Sequence, residues 1–155
     1  MAKIKYENIM QDWDAHIPGM GVKVEDYYNK LIEEWENKQT GLQADWENIG
    51  GLFGAKKKMM KIQFNRWCCY IAAEAFGSDL ICSWQLYDPK FSRVSSDGSL
   101  GGLFKSDFND LSEIRAFAAV CLDAAKKAAE RLLEDNNMDT TPLKAKQSSG
   151  ALGSI

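Results

Sequence analysis

A single histidine, His16, is all the imidazole this chain contains, and that scarcity excludes chemistry at once. One histidine cannot supply the paired ligands of a zincin helix or a His-rich metal site. The four cysteines, Cys68, Cys69, Cys82 and Cys121, show no C-x-x-C spacing, and adjacent residues such as Cys68 and Cys69 rarely bridge each other because the local geometry is strained. Buried, reduced thiols in a cytoplasmic setting are the expectation. No apolar run reaches 18 residues, so no membrane-spanning helix is expected. Residues 1–6 lead into no apolar stretch of seven, which argues against a secretory leader. Neither sign of charge is in excess: 19 basic against 22 acidic side chains leave −3, far from the basic surplus of a dedicated nucleic-acid-binding domain. No nucleophile-elbow sequence is present, and the glycines before Lys56 lack the spacing and the Ser or Thr of a phosphate-binding P-loop.

What the chain does have is enough apolar material for one core. At 155 residues it buries roughly 68–70% of its unfolded surface without a disulfide or metal. Five Trp, five Tyr and seven Phe supply large packing and interface side chains. The expected organisation is a single α+β domain over 1–135 and a flexible C-terminal tail over 136–155, where Thr, Pro, Lys, Gln, Ser and Gly replace any periodic pattern.

Residues 24–38 read as an amphipathic helix: Val24, Tyr27, Tyr28, Leu31, Ile32 and Trp35 recur at helical steps, opposite Glu25, Asp26, Glu33, Glu34 and Glu36. Pro18-Gly19-Met20-Gly21 separates it from a short segment around 9–13, and Leu42, Trp46 and Ile49 suggest a second short helix after Thr40-Gly41. Over 60–75 a helix ended by Gly77 fits the spacing, but a hairpin explains more. With Gly77-Ser78 as a type II′ loop, Ala75, Ala73, Ile71 and Cys69 oppose Leu80, Cys82, Trp84 and Leu86 on one apolar face, leaving a mixed face behind. Upstream the apolar parity switches between Phe64 and Trp67, which calls for a bulge near Asn65-Arg66 or a break into two strands. Asp88-Pro89 ends the second strand, 92–102 reads as loop, and a long helix from about 107 to 134 carries Phe108, Leu111, Ile114, Phe117, Cys121 and Leu132 with many alanines between.

Functional signals are weaker. His16, beside Pro18-Gly19, reads as a surface or capping residue. The acids Glu33, Glu34 and Glu36, and Asp107, Asp110 and Glu113, read as a solvated face and a favourable first helical turn. Gly50-Gly51-Leu52-Phe53-Gly54-Ala55 locally resembles the opening of viral fusion peptides, and its Gly-Leu-Phe-Gly resembles a nucleoporin repeat unit, in single short copies that assign no family. The Gly-Gly-Leu-Phe motif recurs before Lys105, placing Leu103 and Phe104 beside Leu52 and Phe53 as apolar plugs or a partner patch. Charge segregation weighs most: 25–47 holds seven acids against two lysines, while 56–66 holds five cations and no acid. Such blocks neutralise each other within one fold or between copies.

The expectation from these residues is a non-catalytic interaction or assembly subunit without a cofactor or metal. It would bind a protein partner or a second copy through Leu52, Phe53, Lys56, Lys57, Lys58, Lys61, Leu103, Phe104 and the tail residues Leu152 and Ile155. The alternative is attachment to an anionic membrane surface or nucleic acid through the Gly-Leu-Phe and Lys-rich loop.

Overall fold

The computed structural model describes residues 5–50, 56–91 and 108–155. In chain order these form β1 (Ile9–Ile17), α1 (Val24–Asn37), β2 (Ala44–Gly50), β3 (Lys56–Phe64), β4 (Trp67–Phe76), β5 (Asp79–Tyr87), α2 (Phe108–Asp135), α3 (Thr141–Ala145) and β6 (Ser149–Gly150). The strands make one antiparallel sheet in the order β2-β3-β4-β5-β1-β6. The fold is α+β.

The β4–β5 hairpin sets the phase of the sheet. Gly77 takes φ +62°, as a turn of this hand requires, and Ala75 opposes Leu80, Ala73 opposes Cys82 and Ile71 opposes Trp84, the register expected from the apolar pattern. The parity switch before it is a second tight turn: Phe64 pairs with Trp67, and Asn65 sits at φ +56°. Asn tolerates this left-handed conformation better than most residues. The mixed-parity stretch is therefore two strands.

Three further segments differ from expectation. Residues 42–49 are not a helix; Ala44–Gly50 is an edge strand, because Asp45 and Glu47 alternate with Trp46 at period two and the stretch pairs along its whole length with β3. The segment around 9–13 is part of a nine-residue strand that pairs along β5, which puts His16 on a strand and not in a loop. The loop expected over 92–102 lies outside the described residues.

One face of the sheet is covered by α1 and α2. Trp13, Ile62, Cys69, Ile71, Leu80, Cys82, Trp84 and Leu86 are buried beneath Tyr27, Leu31, Phe117, Cys121 and Leu132. Ala118, Ala124, Ala125, Ala128 and Ala129 are fully buried, so the 28-residue α2 lies close against its neighbours. At about 1.5 Å per residue it spans about 42 Å, enough to cross the domain. The helices run antiparallel, as their ion pairs show: Lys30 to Asp135 (2.9 Å), Arg131 to Glu33 (2.6 Å) and Glu34 (3.2 Å), and Lys38 to Asp123. Beneath these pairs the Tyr27 hydroxyl donates to the Ala125 carbonyl at 3.1 Å.

The expected flexible tail is instead seated on the domain. Leu143 and Leu152 are buried, and β6 pairs with β1 at Gln11 and Asp12. The anchor is a buried polar group. Gln11 donates from Nε2 to Ser148 Oγ (2.8 Å) and to the Gly153 carbonyl, while its Oε1 accepts the Leu152 N–H at 3.0 Å. All three partners lie more than 130 residues away in the chain, so local composition carries no trace of the contact.

Gly150 is part of that seat. A Cβ there would lie 2.2 Å from the Met10 carbonyl oxygen, and the residue holds φ +141°. Gly150→Ala should therefore release the segment from β1, at a cost of about 1–3 kcal/mol. Amide exchange reads this directly: the Ala151 N–H, which donates to the Met10 carbonyl at 2.8 Å, should lose its protection while β4 and β5 keep theirs.

Candidate interaction surface

The site grows from the connection between α1 and β2. Gln39 (φ +52°) and Gly41 (φ +76°) reverse the chain through left-handed backbone. Trp35 Nε1 donates to the Leu42 carbonyl at 3.0 Å, and the Leu42 N–H donates to Thr40 Oγ1 at 3.1 Å, pinning the connection to the helix it leaves. Two cavities open against it and share Trp35, Thr40 and Leu42. One, of about 350 Å³, extends to Ile32, Trp46 and Met60. The other, of about 240 Å³, extends to Phe64, Phe117 and Val120 and is almost wholly apolar. Together they lie between α1, α2 and the β2–β3 end of the sheet.

Trp46 stands at this edge, 39% exposed. Its support is buried: Tyr28 meets it edge-on with ring centroids 5.0 Å apart, and Lys58 Nζ lies 4.6 Å from the Trp46 centroid and 5.2 Å from that of Tyr28. The Tyr28 hydroxyl accepts the Ala73 N–H (2.9 Å) and donates to the Lys58 carbonyl (2.6 Å), bridging β3 and β4 where their ladder ends at Met59 opposite Ala72. Burial raises the Tyr28 pKa, although the Ala73 amide opposes the rise, so the hydroxyl keeps its proton as donor.

The cations singled out in the sequence are largely occupied within the chain. Lys57 pairs with Glu74, Lys58 lies 3.5 Å from Glu25, Lys61 donates to Glu47 at 3.0 Å, and Arg66 donates to Asp88 at 3.1 Å. The hydrogen bond to Glu47 raises the Lys61 pKa against some desolvation. Two of these pairs, Lys58 with Glu25 and Lys61 with Glu47, join the acidic and basic blocks inside one fold, while Glu74 and Asp88 lie outside the acidic block. Lys56 opens β3 opposite Gly50, but its side chain, like Leu52, Phe53, Leu103 and Phe104, lies outside the described residues. Leu152 is buried and Ile155 half-buried against the core, so neither is a free docking group as expected. Among the described residues of that set none lines a cavity; Lys58 reaches the larger one only through its contact with Trp46. The aromatic groups that build the surface, Trp35, Trp46 and Phe117, were read in the sequence as helix-face and core residues; the alternation of Asp45, Trp46 and Glu47 was the available signal for an edge strand.

No group of three or more His, Cys, Asp or Glu among the described residues could hold a metal. His16 Nε2 lies 2.6 Å from Asp79 Oδ2 on the surface, and Ser78 Oγ contacts the same carboxylate at 3.2 Å, so the carboxylate and not the imidazole is the serine's partner. No helix among the described residues is long and apolar enough to cross a membrane.

Two outcomes test this electrostatic picture. Asp79 is held below its ordinary 3.8, first by the Gly19 N–H at 2.9 Å and then by His16. A lowered carboxyl pKa means that these contacts are fully formed above 3.8 and are lost as pH falls through the lower folded value. The Gly19 amide resonance should accordingly titrate with a midpoint below 3.8 and cease to do so in Asp79→Asn; a midpoint above 3.8 would contradict the pairing. Burial pushes the Cys82 thiol up to about 12 and raises Cys69 well above its usual value. Because the thiolate is the reactive form, the folded protein at pH 8 should resist a thiol-titrating disulfide reagent and release four equivalents only on unfolding.

No known protein family, curated protein or solved structure matches this chain.

Proposed function

We propose that this chain is a non-catalytic interaction subunit that contacts another protein through the surface beside β2. The observation that carries the reading is Trp46: a large aromatic residue, exposed at 39% and rigidly backed by Tyr28, stands on the end strand of the sheet and lines the larger of the two cavities described above. Exposed aromatics over a preformed apolar cleft are the usual anchors of a protein interface.

Pairing of the acidic and basic blocks within one fold weakens the electrostatic case for head-to-tail self-assembly. It also weakens attachment to lipid or nucleic acid, since Lys57, Lys58, Lys61 and Arg66 each face an acid. Four free, buried cysteines support placement in a reducing compartment, and we place the protein in the cytoplasm on that ground.

Purification of the tagged full chain from its own cells under crosslinking, followed by native mass measurement, tests the role. A stoichiometric protein partner should be recovered, and Trp46→Ser should lower its yield at least tenfold with a thermal midpoint shifted by only a few degrees. A monomer with no partner, or recovery unaffected by Trp46→Ser, overturns the proposal.

A further inference from the structure

The two edges of the sheet are treated differently, and the difference points to a binding mode. At one edge β6 is two residues long, a short, blunted end. At the other edge β2 runs for seven residues with an unbroken register against β3 and no bulge, proline or lysine. Sheet edges are ordinarily protected by such features or by charged side chains, because a row of unpaired N–H and C=O groups invites an extended chain; the only charges on β2 are Asp45 and Glu47, which restrict what can pair there. Among the described residues β2 pairs on one side only.

From the chemistry of its two faces we infer that β2 is a strand-addition site, and that its occupant is an extended segment of a partner protein alternating basic and apolar residues. The inference rests on the proposed interaction role and specifies its mode. On the helix side, Ala44 and Trp46 border the 350 Å³ cavity, where Trp35, Leu42 and Met60 stand beside Glu36, Gln39 and Gln43, so alternate apolar side chains of an added strand would meet Trp46 and the apolar part of a mixed wall. On the other side Asp45 and Glu47 face the same way two residues apart, and the one cation opposite them, Lys61, is shared: it is the register partner of Asp45 and hydrogen-bonds Glu47. That face is left with a surplus negative charge, which a lysine or arginine on the added strand would neutralise.

A second copy of this chain fits poorly. The antiparallel register that pairs all seven β2 residues sets Glu47 against Glu47 of the copy, and the register shifted by two sets Asp45 against Glu47. Like charges directly opposite each other destabilise a strand pair.

The probe is a seven-residue acetylated and amidated peptide with lysine at the odd positions and valine, leucine and valine between them, added to the full-length chain at low salt. Saturable binding is expected, with amide exchange over 44–50 slowed at least tenfold and β1 amides unchanged. The same peptide with glutamate in place of lysine should bind at least tenfold more weakly, and one N-methylated along its hydrogen-bonding edge should not protect β2. Asp45→Lys should reverse the preference between lysine and glutamate peptides. Equal binding of the two peptides, binding without protection of 44–50, or no binding at millimolar peptide each overturns strand addition. If any of these occurs while a Trp46-dependent partner is still recovered, the interaction role stands and only its mode falls; protection by the peptide without any cellular partner would have the opposite meaning.

Discussion

The pairing of β4 with β5 about Gly77 is the constraint from which the rest of the molecule follows. Side chains alternate along a strand, so a slip of one residue there would carry Trp84, Leu86, Cys69 and Ile71 to the wrong face. With that register fixed, β1 joins through Trp13 opposite Trp84 and Ile17 opposite Leu80, and β3 joins through Ile62 opposite Cys69. The apolar parity of four strands then agrees, and a single face becomes the floor on which α1 and α2 lie. Burial of that floor is the main source of stability, at roughly 25 cal/mol per Å² of apolar surface removed from water.

Covering only one face has consequences for charge and shape. The acidic side of α1 turns toward Arg131 of α2 and toward Lys58 of β3, so the segregated charge of the sequence becomes a set of cross-element pairs within the fold. Exposed pairs of this kind contribute about 0–1 kcal/mol each, and their larger effect is to fix which elements lie side by side. On the other face a smaller cluster of Met59, Cys68 and Tyr70 is buried, with Tyr70 and Tyr87 edge-on at 6.5 Å. The cavities lie where the alanine-rich helix and the short α1–β2 connection fail to fill the space above the end strand.

How much of this was legible depended on whether the signal was local. The hairpin was, because Gly77-Ser78 and the two flanking patterns agree on one register. So were both long helices, whose apolar residues recur every three or four positions. The seat of the C-terminal segment was not, since it depends on Gln11 reaching Ser148, Leu152 and Gly153 across the chain. The strand nature of 44–50 was masked for a similar reason. Leu42, Trp46 and Ile49 also satisfy helical spacing, and pairing with β3 decided the matter. The candidate surface was missed because a partly exposed tryptophan and a core tryptophan look alike in sequence, whereas the lysines that drew attention are largely satisfied by acids on neighbouring elements.

What distinguishes this sheet is therefore one seven-residue, regular edge whose Trp46 borders a cavity, and the strand-addition account stands on that edge being open in the free protein. Residue-resolved amide exchange of the isolated full chain tests this most directly. Amides of residues 44–50 that point toward β3 should be protected, while those that point away should exchange at least a hundredfold faster, in an alternating pattern. Protection of every amide in 44–50 to the level of Ile71 and Trp84 at the sheet centre would show that the edge is already occupied and would contradict the account.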